Sequence, residues 1–377
     1  MQVLVTGASG FLGRNLSVAL ARRDGVDVFR SDIDDPPDVV DRALDVADVV
    51  FHLAGVNRPQ TVEEFQAVNV GVTVDLCSQL AARRRKTKIV LASSSQAEQD
   101  NPYGISKRGA EEAVRAYCAA TGAAGVVYRL KNVFGKWCRP NYNSVTATFC
   151  HNIARGLPIQ ISDPAAVVDL TYVDDVVAAC EGELLGRPGQ DGFSFAAPVP
   201  SRAITLGELA GLIQSFRESR QNLQVPDFSD RFVRALYATY LSYLERDGFG
   251  YGLQIRADDR GRLAEFLKAP AFGQIFVSRT NPGITRGNHY HHTKAEKFLV
   301  LEGQAVIRFR HIVTGDTIEY SVEGRELQVV DIPPGYAHSI ENVGSGELIT
   351  LFWASELFDP DRPDTYPLSV QPANETP

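Results

Sequence analysis

The chain has 377 residues, of which 44% are hydrophobic and 22% charged, a composition that excludes collagen-like and intrinsically disordered proteins. Its length exceeds what one core usually fills, so two domains are expected. The 46 acidic residues outnumber the 38 basic ones for a formal charge of −8, which offers no electrostatic footprint for nucleic acid or an anionic membrane.

The opening VLVTGASGFLGRNLSVALARR reads as a short strand, a glycine-rich turn and a helix. Residues 26–32 form a second short strand, and a third is expected at about 48–53. A helical stretch from Val62 to Arg85 leads into the apolar strand TKIVLASSS. YGISKRGAEEAVRAYCAATG is a long helical pattern, followed by the strand GVVYRLKNVFG. Strands alternating with helices predict a doubly wound parallel sheet. Phe228–Leu244 is expected to be helical and to close this first domain. After Gly248 short alternating segments such as EKFLVLEG and AVIRFRHIV are separated by Gly, Pro, Asn and Asp turns, the pattern of an antiparallel barrel or sandwich. The boundary falls between residues 245 and 260, and the Pro-rich tail after Asp359 is expected to be irregular.

Cys77, Cys118, Cys138, Cys150 and Cys180 are scattered and never spaced as CxxC, so neither a disulfide framework nor a cysteine zinc site is expected. The chain begins directly as a strand, without the regions of a signal peptide. No apolar run approaches bilayer-spanning length. A cytoplasmic enzyme is the expectation.

Gly7, Gly10 and Gly13 lie between a strand and a helix. The first two permit a tight turn and close approach of a pyrophosphate, the third permits close helix–sheet packing, and the helix N-terminus offers free donors. The next strand ends in Phe29-Arg30-Ser31-Asp32. A carboxylate there suits the ribose of NAD, whereas a cation suits the extra phosphate of NADP. Arg30 and Ser31 tilt the reading toward NADPH, and Asp32 on the ribose is the competing one. Tyr103 and Lys107 are spaced to share a helix face. A phenol beside an ammonium can protonate the alkoxide formed when hydride reaches a ketone, with a serine hydroxyl orienting the same oxygen.

TGASGFLG, FHLAG, ASSS, YGISK and YVDDVVAA resemble the landmarks of the extended, nucleotide-sugar branch of the short-chain dehydrogenase/reductase superfamily. That resemblance implies a Rossmann-type domain with Tyr103 as catalytic tyrosine and Lys107 as its partner. Ser95 is the best match to the catalytic hydroxyl, with Ser94 second. Gly7, Gly10, Phe11, Leu12, Gly13, Arg30, Leu53, Ala54, Gly55, Tyr103 and Lys107 are the expected cofactor contacts. The connection from ASSS to YGISK is shorter than is usual in the family.

In GITRGNHYHHTKAE, His289 and His291 alternate in the manner of one strand face, and Glu296 follows. PPGYAHSIEN brings His338. Three imidazoles and a carboxylate make a credible first shell for zinc or another transition metal; a solvent-facing histidine cluster is the competing reading. The two segments resemble the two cupin motifs, which implies metal-ligand roles for His289, His291, Glu296 and His338. Gly283, Gly303, Pro333 and Gly335 match turn positions and Asn342 ends the second motif, whose usual opening glycine is Leu327 here.

The order of the halves, together with RLKNVFGKWCRPNYNSVTATFC and FVRALYATYLSYL, resembles the bifunctional capsule and O-antigen enzymes that form UDP-N-acetyl-L-talosamine. The resemblance implies an α/β doubly wound Rossmann-type NADP-binding domain over residues 1–247, followed by an all-β, zinc-binding cupin barrel over 248–377. The implied substrate is a UDP-linked 4-keto-6-deoxy amino sugar. The cupin part would epimerise C3 of a UDP-2-acetamido-2,6-dideoxy-4-ketohexose, and the first domain would then reduce C4 with NADPH. Lys294 is the expected proton-transfer residue, with Tyr290, His291 and His292 as other candidates. Arg286 is a candidate diphosphate contact, and Lys131, Asn132, Arg139, Asn141 and Tyr142 are candidate substrate contacts. A homodimer is expected. A reductase with a non-catalytic cupin module is the alternative.

Overall fold

The computed structural model describes residues 1–185, 192–258, 261–264, 267, 273–356, 359 and 361–371. The chain divides into two compact units that interleave along the sequence: 1–145 with 167–204, and 146–166 with 205–377.

In the first unit β1 (Gln2–Thr6), β2 (Asp27–Ser31), β3 (Val49–His52), β4 (Lys88–Ser94) and β5 (Ala124–Leu130) are joined through α1 (Phe11–Leu20), α2 (Pro37–Val46), α3 (Val72–Ala82) and α4 (Pro102–Thr121). After β6 (Asn132–Phe134) the chain enters the second unit for α5 (Val145–Arg155) and returns to the first with β7 (Val167–Tyr172), α6 (Val173–Gly182), β8 (Gly192–Phe195) and β9 (Arg202–Thr205). The main sheet is parallel in the order β2-β1-β3-β4-β5-β8. Side-chain alternation gives it two buried faces. Leu4, Val50, Leu91 and Val127 pack under α2, α3 and α4, while Val3, Val5, Phe51, Val90 and Val126 pack under α1 and α6. The helix α4 is strongly delimited. The Asn101 side chain accepts a hydrogen bond from the Gly104 N–H at 2.8 Å, Pro102 occupies the first turn and Gly122 closes the helix at φ +69°. The helical stretch expected from Val62 to Arg85 is helical, with a π-helical turn at Phe65–Gly71 running into α3.

The second unit contains α7 (Leu206–Asn222) and α8 (Arg231–Leu241), the short strand β10 (Gly250–Gly252), the hairpin β11 (Ile255–Asp258) and β12 (Gly261–Ala264), and β13 (Gln274–Thr280). There follow β14 (Thr285–Tyr290), β15 (Glu296–Glu302), β16 (Gln304–His311), β17 (Thr317–Glu323), β18 (Gln328–Ile332), β19 (Tyr336–Asn342), β20 (Leu348–Ala354) and β21 (Tyr366–Pro367). Two five-stranded sheets, β10-β18-β15-β20-β13 and β17-β16-β19-β14-β21, share one core built from Phe298, Phe309, Val330, Ile340 and Phe352. The turn opened by Leu327 is retained, with that leucine held at φ +51°, a region that costs a branched side chain about 1–2 kcal/mol.

Buried on the face of the β10-β18-β15-β20-β13 sheet opposite that core, Lys297 and Arg220 converge on Asp331, and Lys297 also donates to the Tyr251 hydroxyl at 2.9 Å. Burial opposes the charge on Lys297, but the adjacent Asp331 carboxylate overrides it and holds the ammonium well above its ordinary range. Removing one partner of a buried ion pair leaves charge with neither water nor counterion. Asp331→Ala is therefore expected to destabilise this unit by about 3–5 kcal/mol in urea unfolding. Removing Glu347 from its exposed pair with Arg279 should cost no more than about 1 kcal/mol; equal midpoints for the two variants would sink this account of Asp331.

Candidate functional site

The glycine turn after β1 is tight enough to exclude side chains. Gly7 has φ +67°, and a Cβ there would lie 2.7 Å from the Ala54 nitrogen; at Gly13 it would lie 2.1 Å from the Gly7 oxygen. Phe11 and Leu12 open α1 with Gly10 preceding it, so the N-terminal donors of α1 face the same end of the sheet as Leu53, Ala54 and Gly55. The Leu53 N–H donates to the Thr6 carbonyl at 3.2 Å. At the end of β2 the Asp32 carboxylate accepts from the Ser9 N–H at 3.1 and 2.9 Å, while Arg30 is exposed.

Tyr103 lies in the first turn of α4, its ring 5.6 Å from that of Phe65. Burial pushes the phenol up, and a hydrogen bond with the Ser94 side chain draws it back. Ser94 ends β4 and accepts from the Gln96 N–H at 3.2 Å, and Ser95, the first choice from sequence, opens the short turn Ser95–Glu98. Ser93, one residue earlier in β4, is turned to Glu111 at 2.5 Å. The Lys107 ammonium is buried 5.9 Å from the Tyr103 ring centroid and donates to the Ala92 carbonyl at 3.0 Å. Burial lowers its pKa to about 8, against a raising contribution from Glu111. A buried ammonium thus stands close to a buried phenol at the start of α4.

Asn69, which sequence reasoning missed, braces this corner. Its side chain donates to the Val56 carbonyl at 3.0 Å and to the Ser106 hydroxyl at 2.9 Å, and accepts from the Val56 N–H at 2.8 Å. The available signal was an asparagine inside an otherwise apolar helical stretch, where π-helical turns often mark function. His52 is a packed residue between Thr6 and Thr73, kept neutral chiefly by burial. Of the substrate candidates, Lys131 pairs with Asp169 at 2.9 Å, Asn132 donates to the Asp169 carbonyl, and the Arg139 guanidinium lies 5.2 Å from the Tyr142 ring centroid. Asn141 takes φ +54°.

In the second unit β14 pairs with β19 so that His289 stands opposite His338. The register shifts between Gly287 and His289, where Asn288 bulges out. A Cβ at Gly287 (φ +100°) would lie 2.7 Å from the His338 oxygen, so only glycine lets the strands close here. Ligating atoms of His289, His291, Glu296 and His338 all lie within 4.8 Å of one another. The Nε2 atoms of His291 and His338 stand 3.3 and 3.4 Å from Glu296 Oε2, yet are buried without hydrogen-bonding geometry. Burial, then His338 and His291, push His289 down to about 4. Burial would raise Glu296, but the two adjacent imidazoles hold it well below the carboxylate range. Three imidazoles converging with a carboxylate fit a divalent transition metal.

Lys294, expected to transfer a proton, instead has its ammonium held by the Pro363 carbonyl at 3.1 Å and the Thr365 hydroxyl at 3.0 Å. That geometry favours an anchoring role. Arg286, expected at a diphosphate, donates to the Thr280 hydroxyl at 3.0 Å and the Arg279 carbonyl at 3.2 Å. The His292 ring packs 5.4 Å from Tyr290 and 5.2 Å from Tyr366.

A Rossmann-type unit with a tyrosine–lysine pair and a β-rich unit with a histidine–glutamate cluster define a two-part nucleotide-sugar enzyme. Residues 3–181 match the NAD dependent epimerase/dehydratase family, and residues 256–366 match the polysaccharide biosynthesis C-terminal domain. The UDP-2-acetamido-2,6-beta-L-arabino-hexul-4-ose reductase of Pseudomonas aeruginosa is 44% identical over 377 residues, covering 98% of this chain and 99% of that protein. The chain belongs to the family of that reductase. The crystal structure of the capsular polysaccharide assembling protein CapF from Staphylococcus aureus is 45% identical, with a TM-score of 0.66 over 98% of this chain and 100% of that one. MoeE5 in complex with UDP-glucuronic acid and NAD is 25% identical, with a TM-score of 0.51, covering 57% of this chain and 82% of that chain. No helix among the described residues is long and apolar enough to cross a membrane.

Proposed function

We propose that this chain acts twice on a UDP-2-acetamido-2,6-dideoxy-4-ketohexose, first epimerising C3 and then reducing C4 with NADPH to give UDP-N-acetyl-L-talosamine. The observation that carries the proposal is the presence, in one chain, of the Ser94–Tyr103–Lys107 arrangement and the His289–His291–Glu296–His338 cluster. The reductase whose family it joins is named for a 4-keto amino sugar of this class. We assign reduction to residues 1–247 and epimerisation to residues 248–377, the latter as a cupin barrel. A cytoplasmic homodimer is carried over from the family resemblance.

The chemistry sets the order. The C3 hydrogen is acidic only while C4 is a ketone, because its removal leaves an enolate. Reprotonation from the opposite face inverts C3, and reduction of C4 then locks the new configuration. His289, His291, Glu296 and His338 would hold a divalent metal, assigned as zinc from their nitrogen and oxygen donors. Bound there, it supplies positive charge against the oxygen that becomes negative.

For reduction, the nicotinamide cofactor supplies the hydride. Gly7, Gly10, Phe11, Leu12 and Gly13 would receive its pyrophosphate at the start of α1, with Leu53, Ala54 and Gly55 beside it. Ser94 orients the C4 oxygen, Tyr103 protonates it, and Lys107 holds positive charge near the phenol. Exposed Arg30 is free to reach an additional phosphate, because Asp32 is engaged by Ser9. Arg30→Ala should weaken NADPH by about tenfold or more relative to NADH, the worth of one charge-assisted hydrogen bond; parallel losses for both cofactors in binding titrations would count against this.

The proposal is tested by incubating the enzyme with the UDP-linked 4-keto sugar in heavy water, with and without NADPH. Deuterium should enter C3 in both reactions and C4 should be reduced only with NADPH. Reduction without exchange at C3 would overturn the epimerase half.

A further inference from the structure

We infer that residues 363–370 form a strap that positions the metal-binding imidazole of His291, with Asp364 as its positioning residue. The inference rests on the metal reading above.

The segment was expected to be an irregular tail, but it is laced along the strand that carries the ligands. β21 pairs with β14 so that Pro367 stands opposite His289 and Tyr366 opposite Tyr290. The Leu368 N–H donates to the Asn288 carbonyl at 2.8 Å, and the Val370 N–H donates to Asn288 Oδ1 at 3.2 Å. Val370 is buried against Tyr290 and Ala337.

Asp364 makes two kinds of contact at once. Its backbone carbonyl lies 2.5 Å from His291 Nδ1. A carbonyl only accepts, so Nδ1 must carry the proton and the lone pair is left on Nε2, the atom turned toward Glu296. Its carboxylate accepts from three successive amides, His292 at 3.0 Å, Thr293 at 2.9 Å and Lys294 at 2.8 Å, and from the Thr293 hydroxyl at 3.0 Å. Those residues are the link between ligands His291 and Glu296, so one side chain sets the geometry of the connecting turn. The Lys294 ammonium grips Pro363 and Thr365 on either side of Asp364. Asp364 itself is held at φ +40°, a conformation that persists for a non-glycine residue only where surrounding contacts impose it. An outer partner that orients a ligating histidine typically changes metal affinity by 10–100-fold.

The test uses the full chain stripped of metal with a chelator and titrated with Co2+, read by its visible absorption and by chelator competition. Asp364→Ala should bind Co2+ about 10–100-fold more weakly than the parent, with an altered absorption envelope. Asp364→Asn keeps one oxygen acceptor for the amides and should recover part of the loss, which a merely misfolded protein would not. In the Co2+ form, NMR should show the His291 Nδ1 proton exchanging slowly with water in the parent and rapidly in Asp364→Ala. Parental affinity, absorption and proton exchange in Asp364→Ala would overturn the strap while leaving the metal site standing. Failure of the parent itself to bind Co2+ would overturn the metal reading and the strap with it.

Discussion

Tyr103→Phe should lose C4 reduction by about 10^3-fold while retaining NADPH binding and C3 exchange. The substitution deletes only the phenolic hydroxyl, so the ring can keep its packing 5.6 Å from Phe65. What disappears is the proton for the oxygen at C4, along with the partner of the Ser94 hydroxyl. A loss of this size corresponds to about 4 kcal/mol of barrier. The pH profile carries a second signature. Lys107 is depressed to about 8 chiefly by burial, and its ammonium form is the useful one. Reduction by the parent should therefore be full below pH 8 and fall as pH rises through that value. A Tyr103→Phe protein that kept reduction within tenfold of the parent in single-turnover measurements would remove the phenol from the mechanism.

His338→Ala should have the complementary effect, slowing C3 exchange by on the order of 10^2–10^3-fold, the size expected when one electrostatic stabiliser of a developing oxyanion is lost. His338 is fully buried, and its Nε2 stands 3.4 Å from Glu296 Oε2. Its removal takes away one of the three imidazoles and leaves Glu296 with a thinner set of neighbours. Reduction of substrate supplied already epimerised at C3 should continue, because Ser94, Tyr103 and Lys107 belong to the other compact unit. Both events are read in one heavy-water NMR experiment. Unchanged exchange at C3 in His338→Ala would instead support a reductase whose β-rich unit only binds or stabilises.

The two variants probe features that were legible in the sequence to different degrees. The glycine turn, the Tyr103–Lys107 spacing and the alternation of strands and helices were all visible, because each depends on local geometry with a short period. The metal cluster was visible as two motifs, since His289 and His291 lie close in sequence and His338 falls in a segment of matching pattern. The end of β4 at Ser94 was not visible, because it depends on pairing with β5, far along the chain. The helix Leu206–Asn222 was overlooked although Thr205 and Glu208 form a reciprocal capping box at its start.

The sequence alone determined the architecture of the first half, the β-rich character of the second and the four histidine and glutamate residues that cluster there. Propensity, hydrophobic period and glycine sterics are properties of neighbouring residues, so they survive without a fold. Tertiary structure decided which partners the polar side chains meet. It tied Lys294 to Pro363 and Thr365, used Asn69 to join Val56 and Ser106, and brought Asp364 onto His291, 73 residues away. Those assignments depend on strand register and on burial, which raises the cost of any unpartnered polar group. Neither is encoded in the spacing of residues along the chain.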